Sequence, residues 1–263
     1  MNTQLQEVKT IVAQPGFEIK AALDTQIMTA KTFPRDVATC IKNIINIISN
    51  DQEIADSCVY ALPKGNEKVE GPSLRLAEIF ISEWGNLVIE TKIISNDGQK
   101  VISSGRCWDL EKNISADMQA SRSIIKKNNT VYDKSMQDVT ASAAAGIALR
   151  NAIFKVIPKS FIDKVYKVAK DVSINGVKDT SFEERRIKVF ESAKRVGIKV
   201  ENILSYFNKT SINQIDKEEI QHIIAVGTSV KEGLITPAEA FSEHLTRAAY
   251  LASTIDDSNI GED

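Results

Sequence analysis

Three consecutive segments in which apolar and polar residues alternate constrain this chain most. They are Leu87–Ile94, Lys100–Leu110 and Ile114–Ile124, and the turn-forming strings Asn96-Asp97-Gly98 and Glu111-Lys112-Asn113 separate them. A period of two is typical of a β-strand that buries one face. Asn, Asp and Gly favour tight hairpin turns. The sequence therefore predicts an antiparallel β-meander in which one face is buried.

Helical patterns precede the predicted meander. Asp36 is suited to cap a helix that Ser49-Asn50-Asp51 ends. Gly71-Pro72-Ser73 is expected to open a second helix, with Pro72 in its first turn, and Gly85 is expected to stop it. Between the two helices, Ser57–Leu62 predicts a strand that Pro63 closes, followed by an exposed charged loop over residues 64–71, which could also form a hairpin.

Further helices are predicted after the meander. The strongest pattern spans Met136–Ile157, where the small residues 141–146 allow close packing and Pro158 stops or kinks the helix. Another helix is expected over Ser160–Asp171. Beyond Asn175-Gly176, three strings have the spacing of a capping box, in which a first side chain caps the helix and a Glu three residues later reaches back. They are Ser181–Glu184, Asp216–Glu219 and Thr236–Glu239.

These patterns predict an α+β fold, in which an antiparallel β-meander packs against helices and a small helical module follows. The chain of 263 residues is long enough for one large domain with an appendage. The predicted organisation is an N-terminal arm over 1–35, an α+β core over 36–175, a helical module over 180–252 and an acidic, disordered tail over 253–263.

Charge is unevenly distributed along the chain, although the net charge is only −2. Residues 119–170 contain ten Lys and Arg against three Asp and Glu, whereas residues 201–263 contain four against eleven. A basic middle favours contact with polyanions, and an acidic C-terminal part favours contact with proteins.

Several kinds of chemistry lack a sequence signal. Neither a phosphate-binding loop nor a dinucleotide fingerprint occurs, and His222 and His244 are far from any Cys. Cys40, Cys58 and Cys107 are expected to be buried, reduced thiols. No signal peptide or membrane span is recognised, so a cytoplasmic protein is expected. Asp109 and Asp117 are candidate Mg²⁺ ligands for a nuclease, or simply polar residues of a solvated sheet face.

Two short strings sharpen the prediction of function. One is Val59-Tyr60-Ala61-Leu62-Pro63, followed by a charged loop, a helix that ends near Trp84 and the meander. The other is Ala148-Leu149-Arg150-Asn151-Ala152-Ile153-Phe154-Lys155, in the predicted long helix. In these strings and their order, residues 36–170 resemble the RecT/Bet class of phage single-strand annealing proteins. The acidic residues Glu67 and Glu70 in the loop depart from the family pattern.

The resemblance implies a non-enzymatic DNA-binding protein of phage recombination. It would anneal complementary single strands without ATP or another cofactor, and hold the annealed duplex intermediate. It would assemble into rings or filaments, cooperate with an exonuclease, and recruit a host single-strand binding protein through its C-terminal helices. Two alternatives stay open: a phage structural or assembly protein without nucleic-acid activity, and a metal-dependent nuclease.

Annealing needs cations that neutralise phosphates along a rigid scaffold. The nucleic-acid hypothesis is much weaker if Arg106, Arg122 and Arg150 lie on different surfaces. Tyr60 and Trp108 are candidates for stacking on bases, or core residues. The candidate phosphate-binding residues are Lys64, Lys68, Arg75, Arg106, Arg122, Lys126, Lys127, Arg150 and Lys155.

Two of these cations have specific alternatives. Arg75 lies within reach of Glu78 and Glu83 on its own predicted helix, so it is either a phosphate ligand or half of a surface ion pair. Arg150 interrupts an apolar stretch of helix, where a guanidinium needs a partner. That partner is either a phosphate or a carboxylate on the sheet, Asp109 or Asp117.

Overall fold

The computed structural model describes residues 15–64, 67–126, 129–177 and 181–241 and confirms the predicted α+β class. No helix in these ranges is long and apolar enough to cross a bilayer. The helices are α1 Pro15–Thr32, α2 Val37–Asn50, α3 Gln52–Ser57, α4 Leu74–Trp84, α5 Lys134–Val156, α6 Lys159–Asn175, α7 Phe182–Arg195, α8 Val200–Tyr206 and α9 Lys217–Lys231. The strands are β1 Val59–Lys64, β2 Glu67–Pro72, β3 Leu87–Asn96, β4 Lys100–Asp109 and β5 Ile114–Ser123.

The predicted meander is present as an antiparallel sheet in the order β3-β4-β5. Burial follows the predicted alternation in the central strand, where residues 101, 103, 105, 107 and 109 are buried. In β3 the prediction of a buried face is wrong, because α5 lies mainly over β4 and β5 and leaves residues 89–96 exposed. In β5 the predicted inner face is half-buried at Ala116, Met118 and Ala120, and Ile114 is exposed.

Helix α5 lies directly against the central strand. A β-carbon at Gly105 would be 2.3 Å from the backbone nitrogen of Leu149, so only glycine fits there. Nearby, the hydroxyl of Ser103 donates a hydrogen bond to the carbonyl oxygen of Ala141. The small residues of α5, predicted to allow close packing, therefore include the face that meets the sheet.

The segment before α4 differs from its prediction in two ways and confirms one of its predicted alternatives. Ser57 belongs to the short helix α3, which Asp51 caps, and the strand begins at Val59. Of the loop and the hairpin predicted for residues 64–71, the hairpin is confirmed, because Leu62 pairs with Val69 and strand pairing continues to Lys64 and Glu67. Pro72 ends β2 outside the helix, and Ser73 caps α4 through its hydroxyl.

Three apolar clusters form the interior of the described residues, and the smallest lies between β4 and α5, around Val101 and Ala144. The first lies between α2, α4, α5 and α6 and includes Phe80 and Trp84. The second lies under α7, α8 and α9, and it includes Val59 and Ala61 of β1. The hairpin thus belongs to the core of the C-terminal helices as well as to the preceding α+β unit.

Buried polar contacts also cross the predicted boundary at Asn175-Gly176. Arg185 of α7 donates to the Asp56 carboxylate and to the Ser173 carbonyl oxygen. Burial raises the pKa of Asp56, although Arg185 and Ser173 act in the opposite direction. The separate role of residues 180–252 in binding proteins stays a prediction, and residues 253–263 lie outside the described ranges.

The three predicted capping boxes have different outcomes. The box at Asp216–Glu219 is confirmed in full. Ser181 precedes α7, but its side chain makes no capping hydrogen bond, so that box is wrong. Thr236 and Glu239 do form hydrogen bonds with each other, but the residues that follow Thr236 form a turn and not a helix.

We predict that Gly105→Ala destabilises the fold by about 3 kcal/mol or more, because its new methyl group would collide with backbone that cannot move independently. Gly227→Ala in α9 is the matched control, since a β-carbon there meets nothing within 4 Å. It should be neutral or stabilise the protein by up to about 1 kcal/mol. Urea unfolding of both variants measures the difference, and equal stabilities would contradict the close approach of α5.

Candidate nucleic-acid interface

The guanidinium of Arg150 is one of three that are buried with an unpartnered nitrogen on the helices of the described part of the chain. Arg150 lies on α5 one residue after the contact with Gly105, and only 8% of it is exposed. Its guanidinium carbon lies 4.6 Å from the centre of the Tyr60 ring, a cation–π contact with the hairpin. Its Nε and Nη2 donate to the side-chain oxygen of Asn151 at 3.4 Å.

A carboxylate from the end of α9 faces Arg150. Oε2 of Glu232 lies 3.9 Å from Nη1 of Arg150, too far for a hydrogen bond. Oε1 of Glu232 accepts a 2.8 Å hydrogen bond from the backbone N–H of Leu74, the first residue of α4. Both nitrogens at the tip of Arg122 donate to the carbonyl oxygen of Leu234 at 3.2 Å.

These groups form a small cleft between α4, α5 and the turn after α9. Its volume is about 40 Å³, and Gly146 and Ile147 form part of its wall beside Arg150 and Glu232. Nη1 of Arg150 has no hydrogen-bond partner among the described residues. Burial raises the pKa of Glu232, although the Leu74 N–H and Arg150 act in the opposite direction. The cleft therefore combines an unused guanidinium donor with a helix N-terminus, two groups that bind anions.

The prediction of a sheet carboxylate as the partner of Arg150 is wrong. Asp109 and Asp117 do not contact it, and the neighbouring carboxylate is Glu232. Asp109 instead accepts two hydrogen bonds from Arg35, at 2.5 and 2.9 Å. Burial alone would raise the pKa of Asp109, but the Arg35 contact and two backbone N–H groups lower it below its usual value.

The two aspartates also fail as a metal pair. Asp109 lies on the buried face of the sheet, whereas Asp117 pairs with Arg106 on the open face. Among the described residues, no three His, Cys, Asp or Glu side chains form a group suited to a metal ion. His222 is buried among the rings of Tyr206, Phe207 and Phe241, and His244 lies outside the described residues.

Arg106 lies on the opposite side of the sheet from Arg150. Strand register places Glu90 and Asp117 on either side of it, and its Nε is 3.9 Å from the Asp117 carboxylate. Its guanidinium lies over the ring of Trp108 at 5.7 Å. Arg106 therefore does not share a surface with Arg122 and Arg150, which weakens the nucleic-acid hypothesis, and its acidic neighbours weaken it as a phosphate ligand.

The other candidate cations are spread over the molecule. Arg75 is exposed and pairs with Glu78 at 3.1 Å, one of the two alternatives expected for it. Lys126 is exposed beside Tyr132, and Lys155 is exposed near the end of α5. Lys64 and Lys68 belong to the two strands of the hairpin. Lys127 lies outside the described residues.

Two lysines that were not predicted from the sequence are better placed to bind phosphates than most of these candidate cations. Lys164 and Lys167 are exposed on α6, three residues apart and hence on one side of the helix. Neither has an ion-pair partner within the described ranges, whereas Lys159 pairs with Asp163 and Lys170 with Glu70. The spacing of exposed lysines within the basic segment was the available signal.

Comparisons of the chain with protein-family models, with curated proteins and with solved structures found no match. The resemblance to RecT/Bet proteins stays a prediction.

We predict that Arg150→Ala lowers the free energy of unfolding by about 3 kcal/mol, because it leaves the buried Glu232 carboxylate without its cation. Adding Glu232→Gln to that variant should restore part of the loss, since no unpaired charge remains. Arg106→Ala, which removes an exposed arginine, should change stability by less than about 1 kcal/mol. Full stability of the Arg150→Ala variant would show that the Glu232 contact is unimportant.

Proposed function

We propose that the protein binds single-stranded DNA and anneals complementary strands without ATP, as a non-enzymatic component of phage-type homologous recombination. The observation that carries the proposal is the buried guanidinium of Arg150, which has an unused donor beside the N-terminus of α4. A phosphate is a natural ligand for that pair of groups, because arginine and helical N–H groups both donate to its oxygens.

Other cations and an aromatic ring fit a strand held by its backbone. Tyr60, which stacks on Arg150, is half-buried in the hairpin that also contains Lys64 and Lys68. On α6, Lys164 and Lys167 offer a second set of exposed cations, and neither forms an ion pair among the described residues. Binding through phosphates leaves base edges available for pairing, which annealing requires.

Self-assembly is the second part of the proposal. Strand β3 pairs only with β4 among the described strands, so its outer edge is open. Three of its isoleucines are exposed, Ile89 by 41%, Ile93 by 63% and Ile94 by 52%. An apolar open edge is a template for another chain, and a second copy of this protein is the occupant that a ring or filament requires.

Other partners are proposals that rest on the resemblance and on the charge of the C-terminal part. An exonuclease and a host single-strand binding protein would contact the C-terminal helices, where the acidic balance of residues 201–263 favours protein over DNA contact. The alternative function, a phage structural or assembly protein, would use the β3 edge without binding nucleic acid. Mixing two complementary oligonucleotides with the purified protein and no ATP separates the two, since only the annealing protein accelerates duplex formation.

We predict salt-dependent binding of single-stranded DNA, with little sequence preference. Each phosphate contact contributes about −0.7 to the slope of log affinity against log salt. Lys164→Ala combined with Lys167→Ala should therefore weaken binding and make the slope shallower by about 1.4. The matched control is Lys188→Ala with Lys194→Ala on α7, which removes the same charge from two exposed lysines.

The control pair should leave both affinity and slope almost unchanged. A slope near zero for the unmodified protein would contradict phosphate binding altogether. Equal losses in the two pairs would mean that net charge, and not the position of α6, sets the affinity.

We predict that Ile93→Lys with Ile94→Lys prevents self-assembly, because the new charges would repel each other at a paired edge. Light scattering should give a smaller mass for this variant than for the unmodified protein. Ile187→Lys on α7 is the control, since it replaces an exposed isoleucine away from the sheet. An unmodified protein that is monomeric with and without DNA would contradict assembly.

A further inference from the structure

The turn after α9, residues Glu232–Leu234, is held by groups from three other elements. Leu74 of α4 donates to the Glu232 carboxylate, and Arg122 of β5 donates to the Leu234 carbonyl oxygen. Gly233 has a φ of +68° and lies so close to α5 that a β-carbon would be 2.9 Å from Cβ of Ala143. The turn therefore covers Arg150 in the structure described here.

Glu232 occupies the place that an external anion would take. Its carboxylate accepts from the N-terminus of α4 and faces the unused Nη1 donor of Arg150. The cleft beside it is small, at about 40 Å³, and the carboxylate already accepts from the Leu74 N–H that a phosphate would need. A phosphate can reach these donors only if the carboxylate leaves.

Glu232 is a poor ligand for the position that it fills. It lies 3.9 Å from Arg150, so the guanidinium gains no direct hydrogen bond from it. Burying the carboxylate costs solvation, and its raised pKa reflects that cost. A phosphate that bonded directly to both groups would make shorter, charge-assisted hydrogen bonds. The geometry therefore favours replacement of the Glu232 carboxylate by a phosphate.

We propose that Glu232 is an internal competitor of the DNA phosphate, and that the Glu232–Leu234 turn is an autoinhibitory contact which strand binding displaces. The inference rests on the proposed function, since it names Arg150 and the N-terminus of α4 as the phosphate site. It also links the C-terminal helices to DNA binding. Any partner that pulls this turn away would raise the affinity for DNA, and DNA would raise the affinity for that partner by the same factor.

The test is Glu232→Gln in the full-length protein. The amide oxygen of glutamine can still accept from Leu74, but the competing negative charge is gone. We expect single-stranded DNA to bind about five- to tenfold more tightly, with a salt slope steeper by about 0.7 because one more phosphate is bound. Glu218→Gln is the matched control, since it makes the same charge change at an exposed position of α9.

The control should change affinity by less than about twofold, because net charge alone acts weakly at physiological salt. Arg150→Gln added to Glu232→Gln should abolish the gain in affinity, and the melting temperature of the double variant reports whether it folds. Unchanged or weaker DNA binding by a folded Glu232→Gln variant would overturn the inference while leaving the proposed function intact.

A second readout does not depend on DNA. Inorganic phosphate should raise the melting temperature of the Glu232→Gln variant more than that of the unmodified protein, because its anion site is open. Phosphate stabilisation without any DNA binding would support an anion site that Glu232 occupies, but it would contradict the proposed function and its competition with DNA. Equal responses to phosphate in the two proteins, together with equal DNA affinities, would contradict the inference.

Discussion

The contact between Gly105 and the backbone of Leu149 fixes the position of α5, and the candidate site depends on it. Because Gly105 has no side chain, the backbone of α5 at Leu149 can occupy the space that a β-carbon at position 105 would need. Successive helical residues are about 100° apart. Leu149 therefore faces the strand while Arg150 faces sideways, toward Tyr60 and the turn at Glu232.

Local patterns of the sequence predicted the elements well. Period-two alternation predicted the three strands of the meander, and Asp36, Gly85 and Asp216 mark helix ends as expected. Such signals work because strand alternation and capping involve residues that are only a few positions apart. The exposure of β3 could not be predicted in this way, since it depends on where α5 lies across the sheet.

Partners that are distant in sequence were beyond the same reasoning. Glu232 is 82 positions after Arg150, and Arg35 is 74 positions before Asp109. Both ion pairs involve residues that the sequence shows to be charged, but no spacing rule connects them. Lys164 and Lys167 are different, because their helical spacing was visible in the sequence and applying it to α6 would have identified them.

Two ion pairs on the covered side of the meander differ in geometry. Arg35 and Asp109 form a short, bidentate pair on the covered side, and their role is structural. Arg150 and Glu232 are also shielded from solvent but lie farther apart. Their attraction therefore offsets less of the free-energy cost of burying the two charges. A weak buried pair beside a helix N-terminus is suited to exchange its carboxylate for another anion, which is the basis of the proposed site.

Photo-crosslinking tests the location of that site most directly. A single-stranded oligonucleotide with photoreactive thymidine analogues would be irradiated with the unmodified protein, and the attached peptides would be identified by mass spectrometry. If DNA binds at the Arg150 site, we expect crosslinks in the peptides that contain Tyr60, Arg150 and Lys164. Crosslinks confined to the open face of the sheet around Arg106 and Trp108, or the absence of any crosslink, would contradict binding at that site.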